Sequence, residues 1–371
     1  MGAGADAPSV ALFGEPLPGY VTGVSDNGHP SRPARMTTHA LWVDRPLHAQ
    51  IRATDLPRPG PGEVLVRSVH SGVSRGTETL VYRGEVPPSQ YAAMRAPFQE
   101  GDFPGPVKYG YLTVGVVEEG PDDLKGRTVF TLYPHQTRFV VPADQVTVVP
   151  DGVPPRRAVL AGTVETALNA VWDAPVLVGD RVAVVGAGMV GCSVARLAAA
   201  IPGTRVTLVD VDESRGDVAD ALGVGFVPAS AARAVLADLD TVVHTSATSD
   251  GLQLALDLLR PEGTVLELSW YGIRDVTVSL GGAFHSGRLA IRASQVGAVA
   301  PARRDSRTTA DRLALALELL QDNAFDALLT GSSVFAELPD VLARLSDGTL
   351  PALCHVIDHP EGDDDVQRDR A

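Results

Sequence analysis

The sequence predicts an α/β protein, a doubly wound parallel sheet joined to a smaller β-rich domain, and three observations carry that prediction. From Arg181 onward, apolar strand candidates at 182–185, 206–209, 241–244 and 264–268 alternate with helix candidates at 191–200, 213–222 and 251–259. Such alternation builds a parallel sheet with helices on its faces. The first strand candidate runs into Gly186-Ala-Gly188-Met189-Val190-Gly191, and the second ends on Asp210. Between 40 and 149 the pattern is different: short β-like runs at 64–70, 112–117, 127–132 and 138–141, punctuated by Pro57, Pro59, Pro61, Gly62, Gly105 and Pro121.

In chain order, residues 1–35 carry Gly, Pro, Ser and Asp without periodicity and read as an extension before the folded part. A barrel-like domain is expected over 36–163, including the start of a helical stretch at 158–174, and the nucleotide-type sheet over 164–295. Residues 310–320 form an amphipathic helix pattern, and the β-like 353–357 comes after the alternation has ended. A strand so late implies that 296–358 returns to the first domain, with 359–371 left as an acidic tail. The run 275–280 has the alternation of an edge strand through which two copies of a homo-oligomer can pair.

Composition narrows the classes. A net charge of −14 argues against nucleic acid and anionic membranes, which need basic surface. No apolar run is long enough to span a bilayer and no signal peptide is evident, so a cytoplasmic protein is expected. Cys192 and Cys354 alone provide neither a disulfide framework nor a four-cysteine zinc lobe, and Cys192 reads as a small buried hydrophobe.

The glycine run carries the chemistry. Gly186 permits a tight turn, Gly188 lets backbone approach a pyrophosphate, and Gly191 lets helix and strand pack closely. Met189 and Val190 begin the helix whose N–H groups face the phosphates. A carboxylate at Asp210 accepts ribose hydroxyls and repels a 2′-phosphate, which makes NAD the expected cofactor.

Pro61-Gly-Glu-Val-Leu-Val, Ser71-Gly-Val-Ser-Arg-Gly-Thr-Glu78, Tyr82-Arg-Gly-Glu, Val178-Gly-Asp-Arg-Val and the glycine run together resemble the medium-chain dehydrogenase/reductase superfamily, over about 36–359. Ser74-Arg-Gly-Thr-Glu78 is similar to members described as threonine- or sorbitol-dehydrogenase-like, and to those acting on a bacteriochlorophyllide hydroxyethyl group. The resemblance implies a GroES-like β-barrel domain and a Rossmann domain closing on a nicotinamide. It also implies a branch without zinc. The family's ligand positions fall on Ser74, Tyr111, Leu112 and Gly162, and the structural-zinc lobe is absent, although a set built from His70, Glu78 and His135 stays open.

For the chemistry, the resemblance places Thr77 where a hydroxyl meets the substrate oxygen and Tyr111 and Ser74 at lost ligand positions, with Lys108 as a cationic helper of Tyr111. Glu78 is expected to orient its neighbours, with His135 a further candidate. Thr166 is expected on the nicotinamide side, Thr245, Ser246 and Ala247 near ribose and adenine, and Ser269, Trp270, Ser294 and Gln295 near the carboxamide. Trp270 and Tyr271 offer a flat wall to a ring-containing substrate, and Arg288, Arg292, Arg303 and Arg304 either bind an anionic group or lie in solvent. The activity expected is zinc-independent, NAD-linked interconversion of a small secondary alcohol and a ketone. A quinone or enoyl reductase and a non-catalytic dinucleotide-binding scaffold are the alternatives.

Overall fold

The alternating half folds into six parallel strands in the order Gly225–Pro228, Arg205–Asp210, Arg181–Val185, Leu239–His244, Leu259–Glu267, Ala290–Ala293. The computed structural model describes residues 36–359 and Glu361. Chain order reverses beside Arg181–Val185, which has Arg205–Asp210 on one side and Leu239–His244 on the other. A crevice opens at the carboxyl ends of such strands. In the two central strands Val182–Val185 and Val242–Val243 are buried and apolar because helices cover both faces.

A second sheet places Glu63–Ser74 at its centre. Thr113–Glu119 pairs along one edge, Arg138–Pro142 along the first half of the other, and Cys354–Asp358 along the second half. Cys354–Asp358 is followed outward by Leu329–Val334. Its pull is apolar: Cys354, Val356 and Ile357 are fully buried. A third, four-stranded sheet contains the hairpin Met36–Arg45 and His48–Leu56, paired residue for residue from Met36↔Leu56. Neither that hairpin nor Gly225–Pro228 was expected from the sequence pattern; most of their residues are only partly buried or exposed, so their periodicity is weak.

Helix Ala161–Asp173 packs between the sheets against Met189–Ala199, with Val164, Ala167 and Ala170 in one apolar cluster with Cys192 and Ala195. Cys192 is a buried hydrophobe, its thiol pushed up to about 12 by burial. Helix Thr309–Leu319, closed at its start by a Thr308–Asp311 capping box, brings Arg312 into the interior. There Arg312 Nε donates to Glu165 Oε1 at 3.0 Å and Nη1 to Asn169 Oδ1 at 2.6 Å.

The expected edge strand at 275–280 does not form. Thr277 N donates to Ser249 Oγ at 3.0 Å and Ser279 N to Gln253 Oε1 at 2.7 Å, while Val276 and Val278 pack on the core of the parallel sheet. The segment is laid over helix Ser249–Asp257, whose side chains take the N–H groups a strand partner would need. The outer strand on this side is Ala290–Ala293, exposed along its length. Residues 1–35 and 362–371 lie outside the described residues. His359, assigned by the sequence pattern to the tail, is 8% exposed and hydrogen-bonded inside.

Candidate active site

A cleft of about 1050 Å³ opens at the carboxyl ends of the parallel strands and faces the helix Arg75–Arg83 of the other sheet. Its floor is the glycine turn. Gly186 has φ +109°, and a Cβ there would lie 2.7 Å from Ser246 N; at Gly191 it would lie 2.0 Å from Gly186 O. At Gly188 a Cβ would meet nothing, so that face of the turn is open to a ligand. Thr245 Oγ1 clasps the turn by donating to Gly186 O at 2.7 Å. Asp210 Oδ2 accepts from Ala187 N at 2.6 Å and Oδ1 from Asp212 N at 2.9 Å. Each oxygen keeps a second lone pair for a ribose hydroxyl.

The opposite wall starts where Glu63–Ser74 becomes helix Arg75–Arg83. Glu78, one turn in, reaches back so that Oε1 accepts from Ser74 N at 2.7 Å, satisfying one of the donors a helix start leaves free. Ser74 and Thr77 line the cleft. The oxygen of Tyr111, which arrives from the chain just before Thr113–Glu119 and is 8% exposed, is close enough to feel both hydroxyls, although Tyr111 is not itself in the cleft lining. Burial first, then the charge of Glu78, hold this phenol well above the ordinary tyrosine range, and the two hydroxyls oppose the shift. Three of the four residues expected to carry chemistry are thus neighbours.

Lys108 does not join them. Its buried ammonium pairs with Glu100, donates to Gln136 Oε1 at 2.8 Å and lies 5.2 Å from the centre of the Tyr133 ring. A three-residue offset puts side chains on one face in a helix, but Lys108 ends a short strand and Gly110 turns at φ +123° before Tyr111.

No protein-family model matches the chain. It is 36% identical over 91 residues to 2-desacetyl-2-hydroxyethyl bacteriochlorophyllide A dehydrogenase of Cereibacter sphaeroides, covering 24% of each chain. It is 26% identical over 209 residues to L-threonine 3-dehydrogenase of Deinococcus radiodurans, covering 46% of this chain and 55% of that one. The chain therefore spans a quarter to about half the length of these curated relatives. Among solved structures, a zinc-binding dehydrogenase from Sinorhizobium meliloti bound to NADP superposes with TM-score 0.70 at 17% identity, over 87% of this chain and 99% of that one. An alcohol dehydrogenase from Escherichia coli complexed with NADH gives 0.68 at 16%, with the same coverage. The fold is that of the medium-chain dehydrogenase/reductase superfamily.

Within that fold the donors at the expected zinc position do not suit the ion. Ser74 and Tyr111 offer only hydroxyls, Leu112 is fully buried, and a Cβ on Gly162 would lie 2.6 Å from Leu112 Cδ2. Zinc sites are built from thiolate, imidazole and carboxylate. Among the described residues no group of three or more His, Cys, Asp or Glu is placed to hold a metal, the His70–Glu78–His135 alternative included. A nicotinamide dinucleotide does suit the cleft, because the open face of Gly188 and the carboxylate of Asp210 match the two distinctive contacts such a cofactor needs.

The remaining cofactor expectations divide. Met189, Val190, Ser246, Ala247, Ser269 and Trp270 line the cleft. Thr166, Ser294 and Gln295 are not in its lining. Thr166 Oγ1 donates to Gly162 O at 2.9 Å, Ser294 Oγ to Asp173 Oδ2 at 2.7 Å, and Gln295 Oε1 accepts from Gly297 N at 2.7 Å. The arginines also face elsewhere: Arg288 pairs with Glu262, Arg292 with Asp173, Arg304 Nε donates to Val299 O, and Arg303 is exposed.

Two clusters had little or no sequence signal. His244 and Glu267 are register partners on adjacent strands, with His244 Nδ1 2.7 Å from Glu267 Oε2 and Nε2 2.7 Å from Ser246 Oγ. Tyr271 OH donates to Glu267 Oε2 at 2.8 Å, which turns its oxygen away from the flat-wall role. Arg215 also lines the cleft, 3.2 Å from Asp212. Cross-strand register and the reach of a long side chain are both invisible in a linear pattern.

Proposed function

We propose that this chain is a zinc-independent, NAD-linked oxidoreductase that interconverts a secondary alcohol and a ketone. The observation that carries the reading is the pair of hydroxyls, Ser74 and Thr77, on the wall of the dinucleotide cleft, with the buried Tyr111 oxygen behind them. The bound cofactor supplies or accepts the hydride. The chain supplies the rest. Tyr111 donates or takes the proton of the substrate oxygen, and Ser74 and Thr77 orient it and share the developing charge. Half-buried Trp270 offers the cleft an aromatic face, which favours ring-bearing substrates. The assembly this reading expects is a homo-oligomer joined along Ala290–Ala293.

NAD is preferred here because Asp210 carries the negative charge nearest the glycine turn. Of the five arginines lining the cleft, Arg215 is paired with Asp212 at 3.2 Å and Arg233 with Asp257 at 2.8 Å. Arg215 nevertheless favours a second reading, an NADPH-linked reductase of activated double bonds, should it release Asp212 for a 2′-phosphate. Titrating the protein with NADH and NADPH by nicotinamide fluorescence, then offering 1-phenylethanol with NAD, tests the first reading. Tight NADPH and weak NADH binding would promote the second.

An Asp210→Asn variant separates charge from geometry, since an amide oxygen can still accept from Ala187 N. We expect the preference for NADH over NADPH to fall by about tenfold or more, ~1.4 kcal/mol or more. An unchanged ratio would remove Asp210 as the selecting group.

A further inference from the structure

Behind the Tyr111 oxygen runs a line of polar side chains that hydride transfer itself does not use. Glu78 Oε2 lies 2.8 Å from His135 Nε2, His135 Nδ1 lies 2.7 Å from Ser71 Oγ, and Ser71 Oγ lies 2.9 Å from His359 Nε2. The members come from four separate parts of the chain, and all are buried: Glu78 4%, His135 0%, Ser71 0% and His359 8% exposed. The line begins at Glu78, whose other oxygen holds Ser74 N, and ends at His359 Nδ1, a buried nitrogen with no partner.

A carboxylate in this setting needs a compensating charge. His135 is the cationisable group bonded to it. Tyr109, Tyr111 and Cys354 all feel the negative charge of Glu78. On the outer side, His359 faces His135 and His70, and His70 is paired with Asp358 at 2.9 Å, itself 3.7 Å from Arg156. Burial, then its histidine neighbours, hold His359 well below the ordinary imidazole range.

Building on the assignment of Tyr111 as the proton-exchanging group, we propose that Glu78, His135, Ser71 and His359 form a buried proton-transfer line that resets the charge beside Tyr111. In one arrangement a neutral His135 donates from Nε2 to Glu78 and accepts at Nδ1 from the Ser71 hydroxyl. Ser71 in turn accepts from His359 Nε2, which leaves His359 Nδ1 as the open acceptor. A proton arriving there lets the Nε2 proton pass to Ser71 and the Ser71 proton pass to His135 Nδ1. His359 ends neutral, and His135 ends as an imidazolium against the Glu78 carboxylate. One proton moves and no electrons do. With its charge compensated, Glu78 opposes ionisation of Tyr111 less, so the phenol can release its proton to the cleft solvent and the phenolate can take the substrate's proton during oxidation. The reverse passage uncovers the Glu78 charge again and favours the phenol, reprotonated from the solvent, that donates during reduction. His135, Ser71 and His359 are positioning residues in this scheme.

The test follows ring-nitrogen resonances in uniformly labelled ¹⁵N-histidine protein across pH, with no substrate present. The two histidines are assigned by His135→Gln and His359→Phe. In the parent, the His135 and His359 curves should move together, and Ser71→Ala should separate them. Independent curves in the parent would overturn the line, and this holds even if Ser71→Ala does not fold. Unchanged coupling in a folded Ser71→Ala would overturn it as well. In 1-phenylethanol oxidation with NAD, His359→Phe should displace the pH midpoint by about one unit, whereas a purely structural role would lower stability and leave the midpoint in place. Coupled histidines with no effect of Tyr111→Phe on oxidation would sink the Tyr111 assignment alone.

Discussion

A Tyr111→Phe protein should bind NADH as the parent does and interconvert 1-phenylethanol and acetophenone about two to four orders of magnitude more slowly. The ring stays, so its contact with Tyr109, 6.0 Å between centroids at 89°, is retained. What goes is the oxygen beside the Ser74 and Thr77 hydroxyls. Losing it should cost about 1 kcal/mol of stability, too little to unfold the protein. Since burial and Glu78 hold the phenol above its ordinary range, Tyr111 stays protonated through neutral pH. Acetophenone reduction should therefore be flat with pH there, while oxidation, which needs the phenolate, should rise with pH. Stopped-flow hydride transfer and NADH titration read both. A variant with parental rates would remove Tyr111 from the chemistry, and one that failed to bind NADH would point to a cofactor contact instead.

An Arg312→Met variant should lose about 3–5 kcal/mol of folding stability, because it leaves a buried carboxylate without its cation. Arg312 is 1% exposed; besides Glu165 and Asn169 it donates to the carbonyls of Ala298, at 3.2 Å, and Val296. It ties helix Thr309–Leu319 to helix Ala161–Asp173 and to the chain leaving the parallel sheet. Burial pushes Glu165 up to about 7, with Arg312 opposing. A carboxyl raised on folding favours the native state most below its unfolded value. That contribution is lost as pH climbs from about 4.5 to about 7. Without Arg312 the loss deepens and extends higher, so the deficit should be small near pH 5 and large near pH 8. Urea unfolding at the two pH values measures it. Adding Glu165→Leu should recover most of the stability at pH 8, and equal deficits at both pH values would contradict the account.

The glycine turn was legible because its demands are local. Gly186 needs a positive φ, Gly191 needs the absence of a Cβ, and Asp210 lies at a set distance along the next strand. The strand at 182–185 was legible because burial on both faces leaves an unbroken apolar run, and that at 206–209 because only Thr207 interrupts one. At 275–280 the same kind of pattern misled, since alternation reports one buried face without saying whether a strand or a helix covers it. Lys108 misled for a related reason: spacing along the chain fixes direction only once the backbone is known.

The sequence alone determined the α/β class and the tight glycine turn between the first two parallel strands. Those features rest on contacts between near neighbours or on the chemistry of single side chains. Only the tertiary structure decided that Ser74 and Thr77 converge on Tyr111, that Lys108 turns away, and that Glu78, His135, Ser71 and His359 join in one line. Those groups are separated by up to 288 positions in the chain. Their distances are set by strand register and by the closure of one sheet on another, which depend on how the whole core packs.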